Sequence, residues 1–203
     1  QAISPQVVVA AMPEGACCGD GAAAAGRHKV KEPHYGSGPE YWNDRYTRQT
    51  FLFEWLRQHK HIADLVDEIC GGVRDVSILH LGCGNSELPE KLYDAGYHNI
   101  VNTDTSSVVL EQMAARNKHR PGLAWVLDDC MAMQFDTSSF DLVLDKALLD
   151  TVVCLHPSVR QEAVGSYLSE AWRVLRPSGA FLCITISVRD GLLSALGGTT
   201  ERR

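Results

Sequence analysis

The sequence predicts a doubly wound α/β fold, a mainly parallel sheet with helices on both faces, and three observations carry that expectation. Short apolar runs alternate with amphipathic stretches of helical length, the order that produces right-handed strand–helix–strand crossovers. The runs are apolar at consecutive positions, as suits strands covered on both sides. The first of them breaks off in Gly82-Cys83-Gly84, at the carboxyl end of a first strand, where such sheets bind their ligands.

Residues 1–33 are rich in Ala and Gly without sustained period and are expected to form a flexible extension. Their VVVAAM stretch is too short for a secretory h-region, with a trimmed organelle presequence as the alternative. Residues 34–75 are expected to form a helical, aromatic cover, and residues 76–203 the core. In the cover, Trp42 and Tyr46 are four apart and share a helix face; with Trp55 and its aromatic neighbours they either staple the helix to the core or touch a ligand. Ile62, Leu65, Val66 and Ile69 mark an amphipathic helix over 61–70, which Gly71-Gly72 ends.

The core then reads as a strand at 76–81, a helix at 86–95 stopped by Gly96, a strand at 99–104, and a helix at 106–119 opened by capping serines. Strands follow at 123–129 and 140–145, a long helix at 157–175, and a last strand at 180–186 after the turn RPSG.

A chain of 203 residues is long enough for one substantial core. No apolar run approaches the roughly 18 residues of a membrane span, so a soluble protein is expected. A net charge of -6 argues against a protein that holds nucleic acid through its phosphates. The seven cysteines form no CxxC pair and several lie in apolar runs, which suits buried thiols in a reducing, cytoplasmic setting. No zinc or calcium spacing is present, so neither a metal nor a membrane or nucleic-acid partner is expected.

Gly82 and Gly84 permit a tight turn and the close approach of a ligand to the backbone. A dinucleotide fingerprint would carry a third glycine where Glu87 stands, and no GxxxxGK[ST] phosphate loop occurs. The candidate left is a nucleoside without phosphates, S-adenosylmethionine. Asp104, at the end of the second strand, is spaced to accept from both ribose hydroxyls; its alternative is to cap the next helix. A carboxylate of Asp128-Asp129, followed by Cys130, is placed to meet the adenine amino group.

With YW..RY, FEW, ILHLGCGNSEL, NTDTSSVVLEQM, W...D, SFDLVLDK and RVLRPSG, residues 34–186 resemble the class I, seven-strand methyltransferases, Rossmann-like in fold, and within them the elongation factor 1A lysine methyltransferase subfamily. The resemblance implies that Trp42, Tyr46 and Trp55 close over the cofactor and that Gly82 lies against it. It places Asp104 and Thr105 at the ribose, Asp129 and Cys130 at the adenine, Lys146 near the methionine end, and Arg45 at the methionine carboxylate or in a surface ion pair. Two departures stand out: Ala147 replaces the glycine of DKGTLDA, and Leu56 follows FEW where Tyr is common. Relatives also continue past the fifth strand with a helix and two more strands, so the C-terminal strands are expected to be missing or shortened. The edge left uncovered would then take a partner or a second copy.

Methyl transfer from a sulfonium needs proximity and a free lone pair on the acceptor. Asp145 and Asp150 are the acids best placed to assist, although Asp150 could instead cap a helix. The loop DKALLD matches neither the [DNS]PP[FYW] motif of amide and adenine methylases nor the double-glutamate loop of arginine methylases. A lysine of a protein substrate is favoured, with a small-molecule acceptor, or a non-catalytic scaffold subunit, as alternatives.

Overall fold

The computed structural model describes residues 6–11, 36, 38–56 and 59–186. Strand β1 (Gln6–Ala11) is followed by α1 (Pro39–Arg48), α2 (His59–Ile69), β2 (Ile78–Leu81) and α3 (Leu88–Asp94). Then come β3 (Ile100–Asp104), α4 (Ser107–Arg116), β4 (Leu123–Leu127), β5 (Phe140–Lys146), α5 (Leu148–Val153), α6 (Pro157–Val174) and β6 (Leu175–Thr185). The six strands form one sheet in the order β1-β6-β5-β2-β3-β4, and every pairing is parallel.

The two-residue period of the strands divides the core between the faces. Leu79, Leu81, Val143, Phe181 and Cys183 pack with Tyr167, Leu168 and Ala171 of α6. Ile78, Leu142, Leu144, Leu182 and Ile184 pack with Ile62 and Val66 of α2 and Leu88 and Leu92 of α3. A third cluster joins Tyr46 of α1 to Val109, Leu110 and Met113 of α4. Helix α4 begins as its serines suggest, with Ser106 Oγ accepting from Val109 N at 3.3 Å.

Two expectations at the chain's ends are corrected. Gln6–Ala11 is a strand and not part of a flexible extension: it pairs with β6 from Gln6 opposite Ala180 to Ala11 opposite Thr185. A short apolar run carries no period of its own, and here its β-branched residues complete a sheet. The edge of β6 expected to be uncovered is therefore covered by the same chain. The expectation that the C-terminal strands after residue 186 are missing or shortened falls outside the described residues. In addition, RPSG lies inside β6, where the register shifts between Phe140 and Leu142. A Cβ on Gly179 would stand 2.8 Å from Asp141 O.

Buried polar groups tie the strands together. On β2, His80 Nδ1 lies 3.3 Å from Asn102 Oδ1. Asn102 Nδ2 donates to Ala124 O at 3.1 Å, so Oδ1 is the acceptor and the imidazole proton sits on Nδ1. His80 Nε2 has no partner among the described residues. Burial, aided by the Lys146 charge, pushes the His80 pKa down to about 3. A folded pKa below the unfolded one gives stability that is present above about pH 6.5 and is lost as pH falls toward 3. Between pH 7 and pH 5 this group should cost about 2 kcal/mol. Urea unfolding at the two pH values should show that loss in the wild type, over and above whatever loss His80→Leu shows.

Candidate functional site

The carboxyl ends of β2, β3, β4 and β5 open into one cavity, roofed by α1 and the irregular segment after it. Its floor is the turn after β2. Gly82 (φ +56) and Gly84 (φ +50) are both left-handed, a region that costs other residues about 1–2 kcal/mol. A Cβ on Gly82 would come within 2.9 Å of Leu148 Cδ1, and one on Gly84 within 2.7 Å of Tyr46 Oη. The missing side chains therefore admit two neighbouring helices as well as any ligand. Glu87, where a dinucleotide site would have its third glycine, keeps its carboxylate within 3.5 Å of Arg116.

Of the residues singled out in the sequence, Trp42, Tyr46, Trp55, Gly82, Gly84, Asp104, Thr105, Cys130, Lys146 and Asp150 line this cavity together. Trp42 and Tyr46 stack at 6.0 Å as their spacing on one helix face suggested. The cap of α4 is Ser106 and not Asp104. Asp104 Oδ1 accepts from Ser106 N and its Oδ2 from Gly84 N, each at 2.9 Å, yet Asp104 still lines the cavity. Burial raises its pKa despite those backbone donors.

Arg45, Asp129 and Asp145 are not in the cavity wall. The Arg45 guanidinium lies 5.7 Å from the Trp42 ring centre and 5.3 Å from that of Trp55, a cation–π contact that braces the roof from outside. Asp129 is exposed and its Oδ1 accepts from Met131 N at 2.9 Å. The cavity receives Asp128 instead. Its Oδ1 accepts from Gln134 N at 3.2 Å, whereas Oδ2 is buried with no partner among the described residues. Burial raises the pKa of Asp128. An unsatisfied buried acceptor in a cavity wall is costly, and an exocyclic amine would satisfy it. The residues present thus fit an adenosine: Asp128 for the base, Asp104 and Thr105 for the sugar, and rings of the cover against its faces.

Asp145 is wholly buried and serves the fold. It accepts from Leu148 N at 2.8 Å, from Leu149 N at 3.0 Å and from the Tyr167 hydroxyl, capping α5, a helix absent from the sequence reading. Burial lifts its pKa to about 6. Asp150 does line the cavity, and it lies within α5 and does not cap it. Its Oδ1 accepts from Thr185 Oγ1 at 2.7 Å and its Oδ2 from Ile186 N at 3.3 Å, which fixes the carboxylate at the end of β6. Lys146 Nζ donates to Glu54 Oε2 at 2.7 Å and to Trp55 O at 3.3 Å. Glu54 had no role in the sequence reading, although FEW named it; nothing in the string showed that Lys146, so distant in sequence, would meet it.

The residue between these acids is left-handed as well. Ala147 has φ 70, so its methyl group is strained where a glycine would not be. Ala147→Gly should stabilise the fold by about 0.5–1 kcal/mol, the relief of the left-handed conformation less the added freedom of the unfolded chain. Urea midpoints of the two proteins measure it.

With the geometry in place, three comparisons bear on it. A family model described as a methyltransferase domain matches residues 79–183. The chain is 36% identical over 165 residues to the mouse "eEF1A lysine and N-terminal methyltransferase", covering 80% of this chain and 23% of that protein. It is 36% identical over 155 residues to mouse "EEF1A lysine methyltransferase 4", covering 72% of this chain and 60% of that protein. It thus spans less than two thirds of either relative.

Among solved structures, a putative S-adenosyl-L-methionine-dependent methyltransferase of Methanococcus maripaludis superposes with a TM-score of 0.56 at 15% identity, over 85% of this chain and 73% of that one. A Haemonchus contortus phosphoethanolamine N-methyltransferase solved with S-adenosylhomocysteine does so with 0.50 at 20% identity, over 68% and 29%. At these identities the structures speak to the fold.

Proposed function

This chain belongs to the methyltransferase domain family, whose methyl donor is S-adenosylmethionine, and on that premise we propose that it methylates a lysine side chain of a protein substrate. The observation that carries the reading is the order of side chains around one cavity: a glycine turn after β2, Asp104 after β3 and an unsatisfied Asp128 after β4. The names of the two mouse relatives support lysine as the acceptor and elongation factor 1A as the first substrate to try. The scaffold alternative rested on a bare edge beside β6, and β1 occupies that edge. The cysteine pattern supports action in the cytoplasm.

When bound, the cofactor supplies a methyl group on a sulfonium, a reagent that needs no further activation. The protein's part is orientation and exclusion of water. Asp104, Thr105 and Asp128 hold the nucleoside, while Trp42, Tyr46, Phe53 and Trp55 close over it. Asp150, held by Thr185 and Ile186, puts a carboxylate in the wall beside Ala147 and Thr151, where it attracts the acceptor's ammonium group and helps its proton pass to solvent. Asp145 takes no part in that step, since its oxygens are committed to α5 and Tyr167.

Calorimetric titration with S-adenosylhomocysteine should give micromolar binding. Asp128→Asn should weaken it by about 1.5–3 kcal/mol, the range for a hydrogen bond to a charged group. An amide there has one acceptor oxygen, so it can satisfy Gln134 N or the ligand but not both. No binding by the folded wild type would sink the reading. Incubation with labelled S-adenosylmethionine and elongation factor 1A should then label a lysine, and Asp150→Asn should slow that labelling at least tenfold.

A further inference from the structure

Residues 49–56 cross the cavity mouth with neither helix nor strand, and Phe53, Trp55 and Leu56 form part of its wall. A segment without its own hydrogen-bonded framework stays in place only through contacts to its neighbours. Most of these converge on the Glu54 carboxylate. Ser86 Oγ donates to it at 2.9 and 3.0 Å, Glu87 N at 2.5 Å and Lys146 Nζ at 2.7 Å. The donors come from the turn after β2 and from the last residue of β5, the two elements that frame the cavity floor. The Lys146 side chain is 2% exposed and that of Glu54 20%, so the pair is shielded from water and poorly screened. Two lesser ties flank it, Asn85 Nδ2 to Phe51 O at 2.8 Å and Lys146 Nζ to Trp55 O. The segment ends at Leu56 with φ 65, a conformation that leucine keeps only when its surroundings impose it.

We propose that Glu54 is a positioning residue that latches this segment over the bound cofactor, so that its contacts set how long the cofactor stays. The inference rests on reading the cavity as the cofactor site. Glutamine at this position keeps the size of the side chain but loses the charge that balances Lys146 and one of the two acceptor oxygens. The segment then opens more often and carries Phe53 and Trp55 with it, while Trp42, Tyr46 and the two nucleoside carboxylates remain in place.

The test is the rate of S-adenosylhomocysteine release from the full chain, followed in stopped flow by the fluorescence of Trp42 and Trp55. Glu54→Gln should release it about tenfold faster and raise the KM for S-adenosylmethionine by a similar factor, with kcat at saturation within twofold of wild type. A merely structural defect would lower kcat and leave that split absent. If Glu54→Gln fails to fold, Ser86→Ala removes one donor and should speed release two- to fivefold. Release at the wild-type rate from a folded variant overturns the latch. A wild-type chain that binds no S-adenosylhomocysteine overturns instead the cofactor reading on which the latch rests.

Discussion

Two left-handed residues without side chains, Gly82 and Gly84, fix the position of almost everything around the cavity. The turn they form is held from below, since Cys83 N donates to Thr103 O at 2.9 Å and Gly84 N to Asp104. Above it, the space a Cβ would fill at Gly84 is taken by the Tyr46 hydroxyl, and the space at Gly82 by Leu148. One turn thereby sets the approach of the roof helix α1 on one side and of the short helix α5 on the other. A side chain at either glycine would displace a wall of the site as well as strain the backbone.

Most of the sheet was legible in the string because β2, β3, β4 and β5 are short apolar runs, and the helices among them have clear signals, such as Ser106 at the start of α4. The first and last strands were harder for opposite reasons. Gln6–Ala11 is too short to show a period, and only its distant partner makes it a strand. Leu175–Thr185 contains Pro177 and Gly179, residues that signal a turn, and the bulge that tolerates them depends on the neighbouring β5.

The site was legible where residue type and order along the chain sufficed, as for the glycine turn and Asp104. It was opaque where direction mattered. Asp128 and Asp129 are adjacent, and only the path of the loop after β4 sends one inward and the other to solvent. Likewise, Asp145 and Asp150 both flank the loop after β5, but Asp145 turns to cap α5 and meet Tyr167. The three-dimensional neighbours that decide such cases, Tyr167 for Asp145 and Lys146 for Glu54, lie far away in sequence.

The placement of β1 also has a kinetic side. It precedes the other five strands in the chain, and it pairs with β6, the last described strand. An uncharged apolar strand must therefore wait, without its partner, while the whole central sheet is made, and contacts of such long sequence separation are slow to close. During that interval the run Val7-Val8-Val9 is open to pairing with another nascent chain or to capture by a chaperone. Of the six strands, the one that borders β6 is thus the one left longest without its partner.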